Sequence, residues 1–126
     1  MVEFTGRVTN DELVQHYSSS DIAVTASVYE GFGLPAAEAM SCEVAVITTS
    51  AGALPEVAGT DGRSGMLVPP EDPRAMADAI KRLLGDAGMR KRLAVGGRQR
   101  ILERFTWEQC ARRCVGVYEG VIAQKR

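Results

Sequence analysis

Short apolar runs alternate with amphipathic stretches along this chain. "VEF" at 2–4, "DIAVTA" at 21–26, "VAVITT" at 44–49 and "GMLVPP" at 65–70 each have the length and composition of a strand. The segments between them carry helical spacing. Thr9-Asn10-Asp11-Glu12 has the form of a capping box, which predicts a helix over 10–19 with Leu13, Val14 and Tyr17 facing inward. "SAGALPEVAG" predicts a glycine turn and a short helix. Asp72 followed by Pro73 predicts the start of a helix in which Met76, Ile80, Leu83 and Leu84 form an apolar stripe and Gly85 supplies the stop. A helix over 87–103 follows. Thr106 then opens a last helix whose Cys110, Ala111, Cys114, Val117, Tyr118, Val121 and Ile122 keep helical spacing. This order of elements predicts an α/β fold, a parallel Rossmann-like sheet flanked by helices with a helical C-terminal tail.

Length and composition narrow the picture. The 126 residues, 45% hydrophobic, suffice for one modest core, a single domain or part of one. The apolar runs are broken by charge or glycine well before the roughly 18 residues of a membrane span, so a soluble, cytoplasmic protein is expected. Cys42, Cys110 and Cys114 form an odd set without C-x-x-C spacing, and His16 is isolated. No metal site is expected, and the cysteines read as buried small hydrophobes.

The net charge of −1 hides an asymmetry: residues 1–70 hold two bases against nine acids, residues 71–126 thirteen bases against seven acids. Arg90, Lys91, Arg92, Arg98, Arg100 and Arg104 read as a solvated helix face. The competing reading is a basic surface for anionic partners, but no aromatics interleave as single-stranded nucleic acid would require, so no nucleic-acid partner is expected.

The candidate chemistry lies between the second and third strand segments, in "EGFGLPAAEAM" at 30–40. Gly31 and Gly33 remove side chains where the chain leaves a strand, and Pro35 suits the first turn of a helix. A strand end then meets a helix N-terminus whose free N–H groups, near Phe32 to Ala36, favour an anion. Glu30 and Glu38 would repel a bare phosphate. The conflict resolves if the anion belongs to a larger ligand whose hydroxyls meet the acids, because a carboxylate accepts two hydrogen bonds from a vicinal diol. A sugar nucleotide has this form, two diol-bearing rings flanking a diphosphate. Taken singly, Glu30 also reads as an exposed turn residue and Glu38 as a partner of the helix dipole.

With the E-x7-E spacing from Glu30 to Glu38, "EGFGLPAAEAM" resembles the signature of retaining, GT-B-fold glycosyltransferases of family four. "FTGRVTNDELVQHYSSSDIAVTAS", "SAGALPEVAG", "GMLVPPEDPRAMADAI" and "ERFTWEQCARRCVGVYEGVI" extend the resemblance over nearly the whole chain, in the family's order. It implies that residues 1–126 are a partial C-terminal, donor-binding domain for a UDP-, GDP- or ADP-sugar, without a bound metal or other cofactor. By the same resemblance Glu30 contacts the transferred sugar as the catalytic residue. Backbone amides of Phe32, Gly33 and Leu34, beside Gly31, meet sugar or diphosphate, and Glu38 holds the ribose. Glu30 is then an electrostatic and positioning group, with a nucleophilic role the minority alternative.

The departures from the family are specific. Relatives place glycine after the cysteine and proline before the next strand, where this chain has Glu43 and Ala45. A glutamate in the left-handed geometry of that cap costs roughly 1 kcal/mol, so a different loop is expected. A glycine pair before Pro-Glu is reduced to Gly52-Ala53, which weakens Leu54 and Glu56 as binding residues.

The resemblance also implies upstream βα units with bases for the diphosphate, and an acceptor domain for a sugar or lipid, before residue 1. The isolated chain is therefore expected to be inactive, with an unpaired sheet edge that invites a homodimer. Part of the last helix's apolar face is expected to be exposed. The basic helices would offer peripheral contact at the inner membrane surface. Two other readings stand beside the enzyme: an inactive binding or assembly module, and a dinucleotide-binding oxidoreductase piece, disfavoured because GxGxxG is absent.

Overall fold

A computed structural model describes residues 1–125. The elements run α1 (Asn10–Ser19), β1 (Ile22–Thr25), α2 (Leu34–Ser41), β2 (Ala45–Thr49), α3 (Leu54–Ala58), β3 (Met66–Val68), α4 (Pro73–Gly85), α5 (Ala87–Arg104) and α6 (Trp107–Gln124). The sheet is parallel in the order β1-β2-β3, with Ile22 opposite Ala45 and Ile47 opposite Met66.

β2 lies in the middle and is buried throughout. Its alternation divides the core. Ala45 and Ile47 join Val68, Ala79 and Leu83 on one face, while Val46 joins Ala36, Met40, Leu54 and Val57 on the other. α5 contributes to both, through Leu93 to the first cluster and Ile101 to the second. α5, the second helix after the last strand, thus closes the core on two sides.

Local sequence sets the helix starts. In α1, Glu12 N–H donates to Thr9 Oγ1 at 3.3 Å and Thr9 N–H donates to Glu12 Oε2 at 2.7 Å, completing the expected capping box. The Thr9 backbone N–H, then its hydroxyl, hold the Glu12 carboxyl below its ordinary value. Asp72 caps α4 by accepting from Ala75 N–H at 2.9 Å, with Pro73 in the first turn. The expected stop at Gly85 is displaced by one residue. Gly85 is still helical, and the chain breaks at Asp86, which ends α4 and caps α5 by accepting from Met89 N–H at 2.7 Å.

α2 ends in a Schellman arrangement. Val44 N–H donates to the Ala39 carbonyl at 3.2 Å and Glu43 N–H to the Met40 carbonyl at 3.0 Å, with Glu43 at φ 58°. The expected change of loop does not occur: the left-handed geometry is kept with a glutamate in it. Lys91 Nζ lies 2.6 Å from Glu43 Oε1, and this hydrogen bond, followed by the ammonium charge, holds the Glu43 carboxyl down.

Several expectations fail for one reason, the lack of a neighbouring element. "VEF" is not a strand; Val2 and Phe4 are exposed and no strand pairs with the segment among the described residues. In α1, Leu13 and Tyr17 are half-buried but Val14 is exposed, as is Leu84 of α4. α6 buries none of its residues, so its whole apolar stripe is exposed rather than part of it. Cys110 and Cys114 on that helix are exposed and Cys42 is half-buried, contrary to the reading of all three as buried hydrophobes.

The basic run is more than a solvated face. Arg90 Nη1 donates to the carbonyls of Leu83 (2.6 Å) and Leu84 (2.9 Å) at the end of α4. Arg98 Nη1 donates to Ser41 O (2.8 Å) at the end of α2. Arg100 donates to Val57 O (2.9 Å) and Glu56 O (2.7 Å) near the end of α3. Three arginines of one helix thus satisfy carbonyls at the C-termini of three others, where a cation also meets the negative end of the helix dipole.

Candidate functional site

The sheet's C-terminal edge carries the site. After β1 the chain crosses residues 26–33 and enters α2 through Gly33, whose φ is 97°. A side chain there is excluded twice: by the left-handed backbone, and by Leu54, whose Cδ2 would lie 2.6 Å from an added Cβ. Gly31 differs. An added Cβ would meet nothing within 4 Å, so its surroundings are open. The N–H groups of Phe32, Gly33, Leu34 and Ala36 donate to no acceptor of the chain among the described residues, and α2 has no side-chain N-cap. The strand end therefore presents a row of unspent donors at the positive end of a helix.

The two acids have different surroundings. Glu30 is half-buried and held on both ends. Ser27 Oγ donates to Glu30 Oε2 at 3.0 Å, and Ala53 N–H donates to the Glu30 carbonyl at 3.0 Å. Gly52, at φ 53°, makes this approach possible, because an added Cβ would lie 2.1 Å from the Glu30 carbonyl oxygen. Glu38 is exposed on α2 and faces Tyr17 of α1. Burial first, and then the charge of Glu38, pushes the Tyr17 phenol up.

Phe32, Leu34 and Glu38 line one groove of about 780 Å³ with Glu56, Phe105, Trp107, Arg104 and Arg113. Phe32 and Phe105 meet edge to face at 5.7 Å between ring centroids. Of the predicted residues, this groove gathers Phe32, Leu34 and Glu38, while Glu30 is held apart by the loop before α2 and the turn before α3. Leu54 is a core residue beneath Gly33, and Glu56 lies on the groove wall.

Sequence reasoning missed Ser27, Thr49, Tyr17 and Gly52 as neighbours of the acids. Arg104 and Arg113 line the groove from α5 and α6. His16 is exposed on α1, away from these residues. Among the described residues, no group of three or more His, Cys, Asp or Glu side chains is arranged to hold a metal ion, and no helix is long and apolar enough to cross a membrane.

A parallel sheet whose C-terminal edge meets a helix start with free N–H groups, flanked by two carboxylates, is an arrangement of the α/β class. Residues 1–86 match the family described as glycosyl transferases group 1, and the chain belongs to that family. It is 39% identical over 124 residues to the MMP alpha-(1->4)-mannosyltransferase of Mycolicibacterium hassiacum, covering 98% of this chain and 30% of that protein. Sucrose-phosphate synthase from Thermosynechococcus elongatus superposes with a TM-score of 0.87 at 36% identity, over 97% of this chain and 30% of the other. The C-terminal domain of a glycosyl transferase group 1 family protein from Francisella tularensis gives 0.74 at 36% identity, over 82% and 53%. The architecture is thus that of the C-terminal domain of GT-B glycosyltransferases. The chain spans about a third or less of the full-length relatives named here.

Proposed function

We propose that this chain is the donor-binding part of a retaining glycosyltransferase that moves a sugar from a nucleotide diphosphate sugar to an acceptor hydroxyl. The observation that carries the reading is the row of unspent N–H donors from Phe32 to Ala36, entered through left-handed Gly33 and flanked by Glu30 and Glu38. The donors face the diphosphate, Glu38 the ribose and Glu30 the transferred sugar. In the reaction the bond from the anomeric carbon to the diphosphate breaks. The acceptor oxygen joins the same face of that carbon, and its proton passes to a diphosphate oxygen. The chain's contribution is to receive the charge that grows on the leaving diphosphate, a fixed-donor effect worth roughly 100-fold to 1,000-fold in rate per donor. No metal is required in this scheme.

The acceptor, a sugar or a lipid, is bound by a domain of the kind that the longer relatives have room for, and further strands pair along the open edge of β1. Arg92, Arg104 and Arg113 are left for anionic contacts, with the inner membrane surface as the site of action when the acceptor is a lipid.

The test is calorimetric titration of the protein with UDP-, GDP- and ADP-sugars. Glu38→Ala is expected to weaken the preferred donor by about ten-fold or more, the loss of a charged hydrogen-bond acceptor. If no donor binds, or Glu38→Ala binds as well as the parent, the reading is wrong.

A further inference from the structure

We propose that Ser27 and Thr49 are positioning residues that fix the Glu30 carboxylate before the donor arrives, an inference that rests on the reading of Glu30 above. Residues 26–33 belong to neither a helix nor a strand, so nothing in the regular backbone ladder orients Glu30. Two anchors do so instead. From α3's side, Ala53 N–H holds the Glu30 carbonyl at 3.0 Å. From the sheet's side, Thr49 Oγ1 donates to the Ser27 carbonyl, and Ser27 Oγ donates to Glu30 Oε2 at 3.0 Å.

The relay starts on a rigid element. Thr49 is the last residue of β2, is 3% exposed, and lies 22 positions from Ser27 in sequence. Its hydroxyl is in use, unlike that of the neighbouring Thr48, which is buried without a hydrogen-bond partner among the described residues. The effect at the carboxylate is asymmetric. Oε2 is occupied by Ser27, whereas Oε1 has no hydrogen-bond donor of the chain among the described residues and is left to accept from a sugar hydroxyl. A side chain ordered in advance does not lose its rotational freedom on binding, which is where the gain in affinity arises.

The experiment uses the protein and compares two ligands: the nucleoside diphosphate alone and its sugar-bearing form, in whichever of the uridine, guanosine or adenosine series the protein binds. Ser27→Ala is expected to weaken the sugar-bearing ligand about ten-fold while leaving the nucleoside diphosphate unchanged. Ser27→Thr, which keeps the hydroxyl, restores it, and Thr49→Val gives a smaller loss of the same selectivity. On a Glu30→Ala background Ser27→Ala is expected to add nothing, because the two act as one unit.

Equal losses for both ligands, no loss for either, or a full loss persisting on the Glu30→Ala background would each overturn the proposal. Glu30→Ala without effect on the sugar-bearing ligand would instead overturn the role given to Glu30. The Ser27 variants, at a half-buried loop position, decide the matter even where Thr49→Val fails to fold.

Discussion

Gly52→Ala is the sharpest test of the contact that holds the Glu30 loop against the start of α3. Three costs act together. A non-glycine residue at φ 53° costs about 1 kcal/mol in the left-handed region. An added Cβ would lie 2.1 Å from the Glu30 carbonyl oxygen and 3.0 Å from its nitrogen, so the backbone has to move apart, an overpacking cost of about 1 kcal/mol. That movement stretches the Ala53 to Glu30 hydrogen bond, now 3.0 Å, worth about 1 kcal/mol. The total is about 3 kcal/mol. With an unfolding entropy of roughly 2.1 cal/mol/K per residue, a chain of this size loses roughly 4 °C per kcal/mol, so the melting temperature should fall by roughly 12 °C.

Gly62→Ala is the matched control. Its φ is 70°, and an added Cβ would meet nothing within 4 Å, leaving the backbone term alone and a fall of roughly 4 °C. Thermal unfolding followed by circular dichroism compares the two. Melting temperatures within about 2 °C of each other would refute the argument that the Gly52 contact, rather than its dihedral angle, is what matters.

Two further outcomes follow from the core and the caps. The Thr48 hydroxyl is buried without a hydrogen-bond partner, so Thr48→Val should be neutral or stabilising by about 1 kcal/mol, read from a denaturant midpoint; a clear loss would mean that the hydroxyl is in use. Glu12 and Glu43 both have carboxyls held below the ordinary value of 4.5, by Thr9 and Lys91 respectively. Their contribution is present above the unfolded value and is lost as pH falls through the lower folded value. The melting temperature should therefore drop below about pH 4.5, and the drop should be smaller in Glu12→Gln. An identical acid profile for the two proteins would remove Glu12 from the account.

What the sequence revealed, and what it hid, divides by distance along the chain. The capping box at Thr9, the Asp72-Pro73 start and the order of the three paired strands depend on a few adjacent residues and on periodicity, and the structure has them. The glycine and proline punctuation of 30–35 likewise located the turn and the unspent amides. "VEF" and the apolar stripe of α6 carry the same local signals, but a strand needs a ladder partner and a helix face needs a surface, and periodicity names neither. The Glu30 surroundings were hidden for a related reason: Thr49 and Gly52 lie about 20 residues away, and only the parallel pairing of β1 with β2 brings them alongside. The arginines of α5 looked like a charged surface because their carbonyl partners have no side-chain signature.

Those arginines also bear on the order in which the molecule can be completed. The contacts from Arg98 and Arg100 to α2 and α3 close spans of 43 to 57 residues. Closures of that length form late in folding, and on the ribosome they cannot form until the second half of α5 has emerged. The match to the family's shared pattern covers residues 1–86, although individual relatives align further, and it ends before any of these contacts and before Leu93 and Ile101 reach the two sides of the core. A boundary drawn at residue 86 would thus cut the chain short of a folding unit. Until α5 is in place, the carbonyls of Ser41, Glu56 and Val57 at the ends of α2 and α3 lack the arginine donors that pair with them in the folded chain.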